Sequence, residues 1–297
     1  MTQEELFSRI RAIRLASSDP LFHLLSASGR GERASFQKGQ GLEFDQVRLY
    51  EAGDDVRLID QNVSARFGRP YIKVYREERD TNLFIILDAS ESVFTAGETS
   101  VYEQELLALA TLAFSAEKER IALGALFFSS EIVRVFPPKL GSLHIMKIIG
   151  AALDLQKAGN RPAAKGDNGS ILGEALSRSR LLLKDSSQVV ILSDFYSLGW
   201  ENELIKLGIN HESRAIRVKS SIKGRQFLKI RDRETGKTAF FRPKSKNFQK
   251  KWADWEADHA AYWEKVCKKA GTKGCEMPAG CNTVQTMQAF YQSGGSR

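Results

Sequence analysis

Little in this sequence is available for disulfide or soft-metal chemistry. Three cysteines in 297 residues are too few to staple the chain, and their odd number leaves one over. Cys267, Cys275 and Cys281 have seven and five residues between them and form no Cys-x-x-Cys, so structural zinc spacing is absent. They read as free thiols near a C-terminal helix. The four histidines, His23, His144, His211 and His259, show no ligand spacing either. Long apolar runs are missing. The longest, around Ile121 to Phe128, falls far short of the roughly 20 residues that cross a bilayer. Met1-Thr2-Gln3-Glu4-Glu5 lacks the basic start and apolar core of a secretory signal, so a cytoplasmic location is expected. No serine sits in a Gly-x-Ser-x-Gly elbow. Gly39-Gln40-Gly41 lacks the third glycine of a dinucleotide fingerprint.

What is present is ordinary globular material, 42% hydrophobic and 27% charged, which excludes bulk disorder. The net charge of +8 is unevenly placed. Residues 1–80 balance at 13 basic and 13 acidic, and residues 81–200 carry 11 and 13. Residues 201–297 hold 20 basic and 10 acidic, and Arg214 to Lys251 alone holds 14 against two. Such a segment suits a solvated face, an acidic protein or nucleic acid.

The periodicity changes along the chain. Residues 3–16 carry Leu6, Ile10 and Ile13 at helical spacing. Residues 17–70 are punctuated by glycine and read as loops and short extended pieces, and Tyr71 to Tyr75 alternates as a strand does. Leu83 to Leu87, Ile121 to Phe128 and Val189 to Leu192 are continuous apolar runs, the mark of strands buried on both faces. Ile132 to Phe136 and Arg214 to Val218 read as further strands. Helices are expected at 100–119, 141–157, 171–183, about 200–208, about 246–269 and about 283–292. In the first of these Ser100 caps, and Glu103, Glu117, Lys118 and Glu119 face outward. Residues 226–242 read as a hairpin turning at Thr235-Gly236. Buried strands alternating with helices make an α/β fold with a parallel or mixed sheet. Trp252, Trp255 and Trp263 share one face of the long helix with His259 and Tyr262, as a packing stripe does.

The chemistry-bearing residues cluster at strand ends. Asp88-Ala89-Ser90-Glu91-Ser92 follows the first buried strand, where open α/β sheets bind ligands. Asp194 ends the third buried strand in the same way, and Ser170 in the intervening loop offers another hydroxyl, with Asp167 and Asn168 as rivals. Oxygen donors of this kind suit a small hard cation such as Mg²⁺, although Mn²⁺ and Ca²⁺ also accept them. The competing reading is that Asp88 and Ser90 only cap the next turn.

Asp88-x-Ser90-x-Ser92, with Leu-Ser-Asp-Phe at 192–195, resembles a von Willebrand factor A domain and its metal-ion-dependent adhesion site. Residues 39–66 run Gly39-x-Gly41-x-Glu43-Phe44, Arg48-x-Tyr50, Gly53-Asp54-Asp55-x-Arg57-x-Ile59-Asp60 and Ala65-Arg66. That string is similar to the signature of the family called domain of unknown function 58, whose members accompany MoxR-type AAA+ ATPases. The late Arg231-Asp232-x-Glu234-Thr235-Gly236 fits the same family. The resemblance implies a von Willebrand factor A-like, mostly parallel sheet with helices on both faces. To it are added an N-terminal extended collar and a C-terminal hairpin and helices. The divisions expected are 1–80, 81–220 and 221–297.

The resemblance further implies Mg²⁺ at Asp88, Ser90, Ser92, Ser170 and Asp194, with serine at 170 where threonine is usual. It implies a non-enzymatic adaptor that binds a MoxR-type ATPase or its client in chaperone-like maturation of protein complexes. Partner contact is placed on Glu91 and on Arg225, Lys229, Arg231 and Arg233. Arg48, Tyr50, Gly53, Asp54, Asp55, Arg57, Asp60 and Arg66 are expected to be structural, the arginines pairing with the aspartates. Two alternatives remain: nucleic-acid binding by the basic C-terminal third, and a metal-dependent hydrolase. The second needs a general base, and Glu91 is the nearest carboxylate.

Overall fold

The computed structural model describes residues 3–16, 42–51, 53–77, 82–90, 92–94, 100–158, 171–183, 187–219, 228–231, 238–241 and 246–293. In chain order the elements are α1 (Gln3–Ala16), β1 (Leu42–Leu49), α2 (Gln61–Phe67), β2 (Tyr71–Glu77), β3 (Leu83–Asp88), α3 (Val101–Lys118), β4 (Leu123–Phe128) and β5 (Ile132–Lys139). There follow α4 (Ser142–Ala158), α5 (Leu172–Leu182), β6 (Gln188–Ser193), α6 (Glu201–Asn210), β7 (Glu212–Lys219), β8 (Leu228–Arg231), β9 (Thr238–Phe241), α7 (Lys246–Lys269), β10 (Lys273–Pro278) and α8 (Thr283–Ser293). They form two compact units, Gly29–Asp80 and Met1–Ser28 with Thr81–Arg297.

The larger unit is the α/β sheet the sequence predicts. Its six strands run β10-β7-β6-β3-β4-β5, all parallel except β5, which pairs antiparallel with β4. Alternate residues of the apolar strands feed opposite faces. Leu83, Ile85 and Leu87 pack with α1, α3, α4 and α8, while Phe84 and Ile86 pack with α5, α6 and α7. The mostly parallel sheet covered by helices on both faces is therefore as expected. The chain builds outward from β3 to β4 and β5, then returns to the other side of β3 for β6, β7 and β10. The order reverses between β3 and β6.

Four expectations change. Helix α1 groups with the sheet unit, because Leu6, Ile10 and Ile13 are buried in its core, so the 1–80 division does not hold together. Strand β10 is missed by the pattern: it is an edge strand in which Met277 alone is fully buried, so no apolar run marks it. Glu103 does not face outward. Helix α3 is buried from Val101 to Ala116, because α1, α4, α8 and the sheet surround it. Ser100 and Glu103 do form the expected capping box. Helix α2 also escapes the pattern, lying within the stretch read as loops.

In the smaller unit β1 and β2 pair antiparallel, with an irregularity between Phe44 and Gln46. Arg48 forks onto Asp54 at 2.8 and 2.7 Å, holding the Asp54 carboxyl below its usual range. Asp54 also accepts the Glu51 N–H at 2.8 Å. Gly53 turns there with φ of 114°, a conformation open to glycine. Tyr50 donates its backbone N–H to Pro70 O. Asp55 caps a short 3₁₀ turn through Arg57 N, and Asp60 caps α2 through the N–H groups of Asn62 and Val63. Asp60 pairs with Lys73 at 3.6 Å. The expected pairing of Arg57 and Arg66 with aspartates is not found among the described residues. Asp55 and Asp60 are taken up by backbone N–H groups at the turn and helix starts.

A carboxylate site at the sheet switch point

Strand β3 is a run of buried apolar residues that ends in Asp88, 1% exposed. Past it, Ala89 N–H donates to Phe128 O at 2.7 Å, tying the loop to the end of β4. Ser90 N–H donates to Asp88 Oδ1 at 2.8 Å, and Val93 N–H to Ser90 O at 3.2 Å. The chain thus turns tightly over its own aspartate before α3 begins. Ser90 Oγ lies 3.0 Å from Ser92 Oγ, one buried and the other exposed.

Strand β6 ends similarly. Ser193 Oγ donates to Asp88 Oδ2 at 2.6 Å and accepts the Phe195 N–H at 3.0 Å. Asp194 Oδ1 accepts Tyr196 N–H at 3.0 Å. Phe195 adopts a left-handed φ of 57°, a strained choice for a residue with a large side chain. It is held there by Trp200 and Trp263, at ring distances of 5.2 and 5.8 Å, and by His259 Nε2, which donates to its carbonyl at 3.1 Å. This anchored turn holds Asp194 just past the carboxyl end of β6.

Two aspartates from adjacent parallel strands therefore flank the point where the strand order reverses, the place where open α/β sheets receive ligands. Burial pushes the Asp88 carboxyl up to about 7, and the negative charge of Asp194 pushes the same way, against hydrogen bonds from Ser193 and Ser90. Two like charges out of water are relieved by a proton held on one of them or by a positive charge between them. Carboxylates and hydroxyls are the donor set of a hard, hydrated divalent cation, so the residues fit Mg²⁺. Among the described residues no three His, Cys, Asp or Glu side chains gather closely enough to hold a metal by themselves. Such a site has to draw on serine hydroxyls and water.

Of the expected ligands, Asp88, Ser90, Ser92 and Asp194 lie at the carboxyl ends of β3 and β6. Ser170 lies outside the described residues, as do its rivals Asp167 and Asn168. The next residue, Ile171, donates its N–H to Ser129 O just beyond β4. Glu91, Arg225 and Arg233 also lie outside the described residues. Lys229 and Arg231 fall on β8, paired with Phe240 and Thr238. Two cations counted in the basic segment, Arg214 and Arg217, are buried inside the sheet unit. The tryptophan stripe divides: Trp263 is buried against Phe195, whereas Trp255, 44% exposed, stacks on Tyr196, Trp252 and His259. All three cysteines are free thiols, as expected.

Sequence reasoning missed two residues. Ser193 reads as the last residue of a strand, and only its proximity to Asp88 shows its role. Glu105 reads as one more polar residue at the start of a helix. It is fully buried, neither carboxylate oxygen has a partner among the described residues, and burial together with Asp88 and Asp194 raises it well above the usual range.

Comparison with known proteins adds a family. The profile of the family described as protein of unknown function DUF58 matches residues 46–262. Uncharacterized proteins of Mycobacterium tuberculosis and Mycobacterium bovis are 26% identical over 219 residues, covering 72% of this chain and 65% of theirs. The chain thus spans just under two thirds of the length of these relatives. Among solved structures, the conserved hypothetical protein BatB from Bacteroides thetaiotaomicron has a TM-score of 0.46 at 13% identity, over 73% of this chain and all of that one. A proximal thread matrix protein of the mussel byssus has a TM-score of 0.33 at 17% identity, over 46% of this chain and 38% of its own. Among the described residues no helix is long and apolar enough to cross a membrane.

Proposed function

This chain belongs to the DUF58 family, and we propose that it is a non-enzymatic protein-binding adaptor whose contact depends on a divalent cation. The observation that carries the reading is the pair Asp88 and Asp194, buried at the ends of adjacent parallel strands on either side of the switch point. Asp88, Ser90, Ser92, Ser170 and Asp194 would hold Mg²⁺. When bound, the ion supplies an acceptor position for a carboxylate from a partner protein. Ser193 keeps Asp88 oriented, and the Phe195 turn keeps Asp194 just past the carboxyl end of β6.

By the family resemblance, the partner is a MoxR-type AAA+ ATPase or a client that it remodels, in a cytoplasmic, chaperone-like maturation of protein complexes. Arg214 and Arg217, two cations of the basic segment, are committed inside the fold, which lowers the weight of the nucleic-acid alternative. For hydrolysis, Glu91, the carboxylate nearest in sequence, lies outside the described residues.

The test is a pull-down from nuclease-treated lysate, with and without Mg²⁺, comparing wild type with Asp88→Ala. An AAA+ ATPase is expected on the wild-type protein in Mg²⁺, reduced at least about tenfold by Asp88→Ala or by chelator, as loss of one charged contact gives. Equal recovery in all arms would refute a cation-dependent contact.

A further inference from the structure

We infer that Glu105 is a third carboxyl of the cation site, acting on a hydrated divalent cation through its charge and its water layer and not as a direct ligand. The inference rests on the reading of Asp88 and Asp194 as a cation site.

Three observations carry it. Glu105 is 0% exposed, and neither oxygen has a hydrogen-bond partner among the described residues. Buried polar atoms are otherwise satisfied as a rule, so an orphaned carboxyl needs an explanation outside the protein atoms present. Its electrostatic neighbours among the described residues are Asp88 and Asp194, with no cationic side chain. Helix α3 lies against β3 and β6, the strands that carry those aspartates. The adjacent hydroxyl offers no relief, because Tyr102 donates to Ala152 O at 2.8 Å.

Elsewhere in this unit, buried charge is handled differently: Arg217 is held by Glu256 and Glu276. Glu105 does not group with the aspartates as a three-carboxylate chelate, which assigns it to the outer layer of the site. Mg²⁺ commonly keeps several of its waters, and a carboxylate beyond the first layer can accept hydrogen bonds from them.

The experiment is calorimetric titration of the full chain with MgCl₂ alone and with MnCl₂ alone. Wild type is compared with Glu105→Gln, which keeps the shape and removes the charge. Glu117→Gln, on a half-buried position at the far end of α3, controls for the loss of one negative charge. The expected result is about tenfold weaker cation binding for Glu105→Gln and unchanged binding for Glu117→Gln. In chelator, Glu105→Gln is expected to melt at or above the wild-type temperature, with a smaller rise on adding Mg²⁺. A second variant, Glu105→Met, is expected to weaken binding in the same direction.

Wild-type affinity in Glu105→Gln would overturn the inference and leave the site reading intact, since it would mean that Glu105 is a neutral acid unconnected with the cation. Failure of both Glu105 variants to fold would also overturn it, by making the residue structural. Absence of cation binding by wild type would overturn the site reading, and the inference with it.

Discussion

At β7 the buried charge is positive and is answered from within the chain. Arg217 is held by Glu256 of α7 and Glu276 of β10, and Arg214 by Glu212, with its guanidinium 4.6 Å over the Tyr291 ring. One strand away, at the ends of β6 and β3, the buried charge is negative. There Asp88 and Glu105 meet no cationic side chain among the described residues. The sheet, its burial and its helical cover are the same in both places. What differs is whether the described residues supply the counter-charge. Where they do, the network is architecture. Where they do not, the position is the one proposed for a charge from solution.

This contrast can be broken at either side. The largest effect is expected from Arg217→Met, which leaves Glu256 to the Tyr196 hydroxyl and Glu276 to Lys219. Both carboxylates are partly exposed, so the loss is expected at the lower end of that for breaking a buried pair, about 3 kcal/mol. Denaturant unfolding should show that loss equally with and without Mg²⁺. A loss under about 1 kcal/mol would mean that the network is not structural.

A smaller effect is expected from pH on the other side. Asp88 holds its proton up to about 7, against 3.8 unperturbed, so the folded chain binds that proton more tightly than the unfolded one. Its contribution to stability is therefore full below about 4 and is lost as pH rises through 7. In chelator, the melting temperature should fall between about pH 4 and 7 more steeply for wild type than for Asp88→Asn and level off above 7, and added Mg²⁺ should change the wild-type slope. Parallel slopes would place the charge pair elsewhere.

The smallest effect is expected from Lys206→Met. Lys206 and Glu203 form an exposed pair one helical turn apart, so denaturant unfolding should shift by no more than about 0.5 kcal/mol. A larger shift would blur the distinction between buried and exposed charge on which the comparison depends.

The sheet was legible because a strand buried on both faces has to be apolar throughout, and Leu83 to Leu87 and Val189 to Leu192 are. The aspartates were legible because each interrupts its run at the strand end. Glu105 was not. Helical periodicity assigns a polar residue to an outer face, and only the packing of α1, α4 and α8 around α3 removes that face. Strand β10 was hidden for the opposite reason: an edge strand keeps polar residues, and Lys273–Pro278 carries no run to find. Ser193 illustrates a third limit. Its partner is 105 positions away, a distance over which spacing carries no information.

The position of β10 bears on how the chain is made. Arg217 lies 59 residues before Glu276 and 39 before Glu256. At a synthesis rate of roughly 5–20 residues per second, β7 waits several seconds on the ribosome with an open edge and a cation that has no counter-ion. During that interval the nascent sheet cannot close, and a chain interrupted before residue 276 keeps a pairing edge exposed. Strand β10 is therefore what closes this side of the sheet: until it pairs, β7 offers its backbone to any other strand.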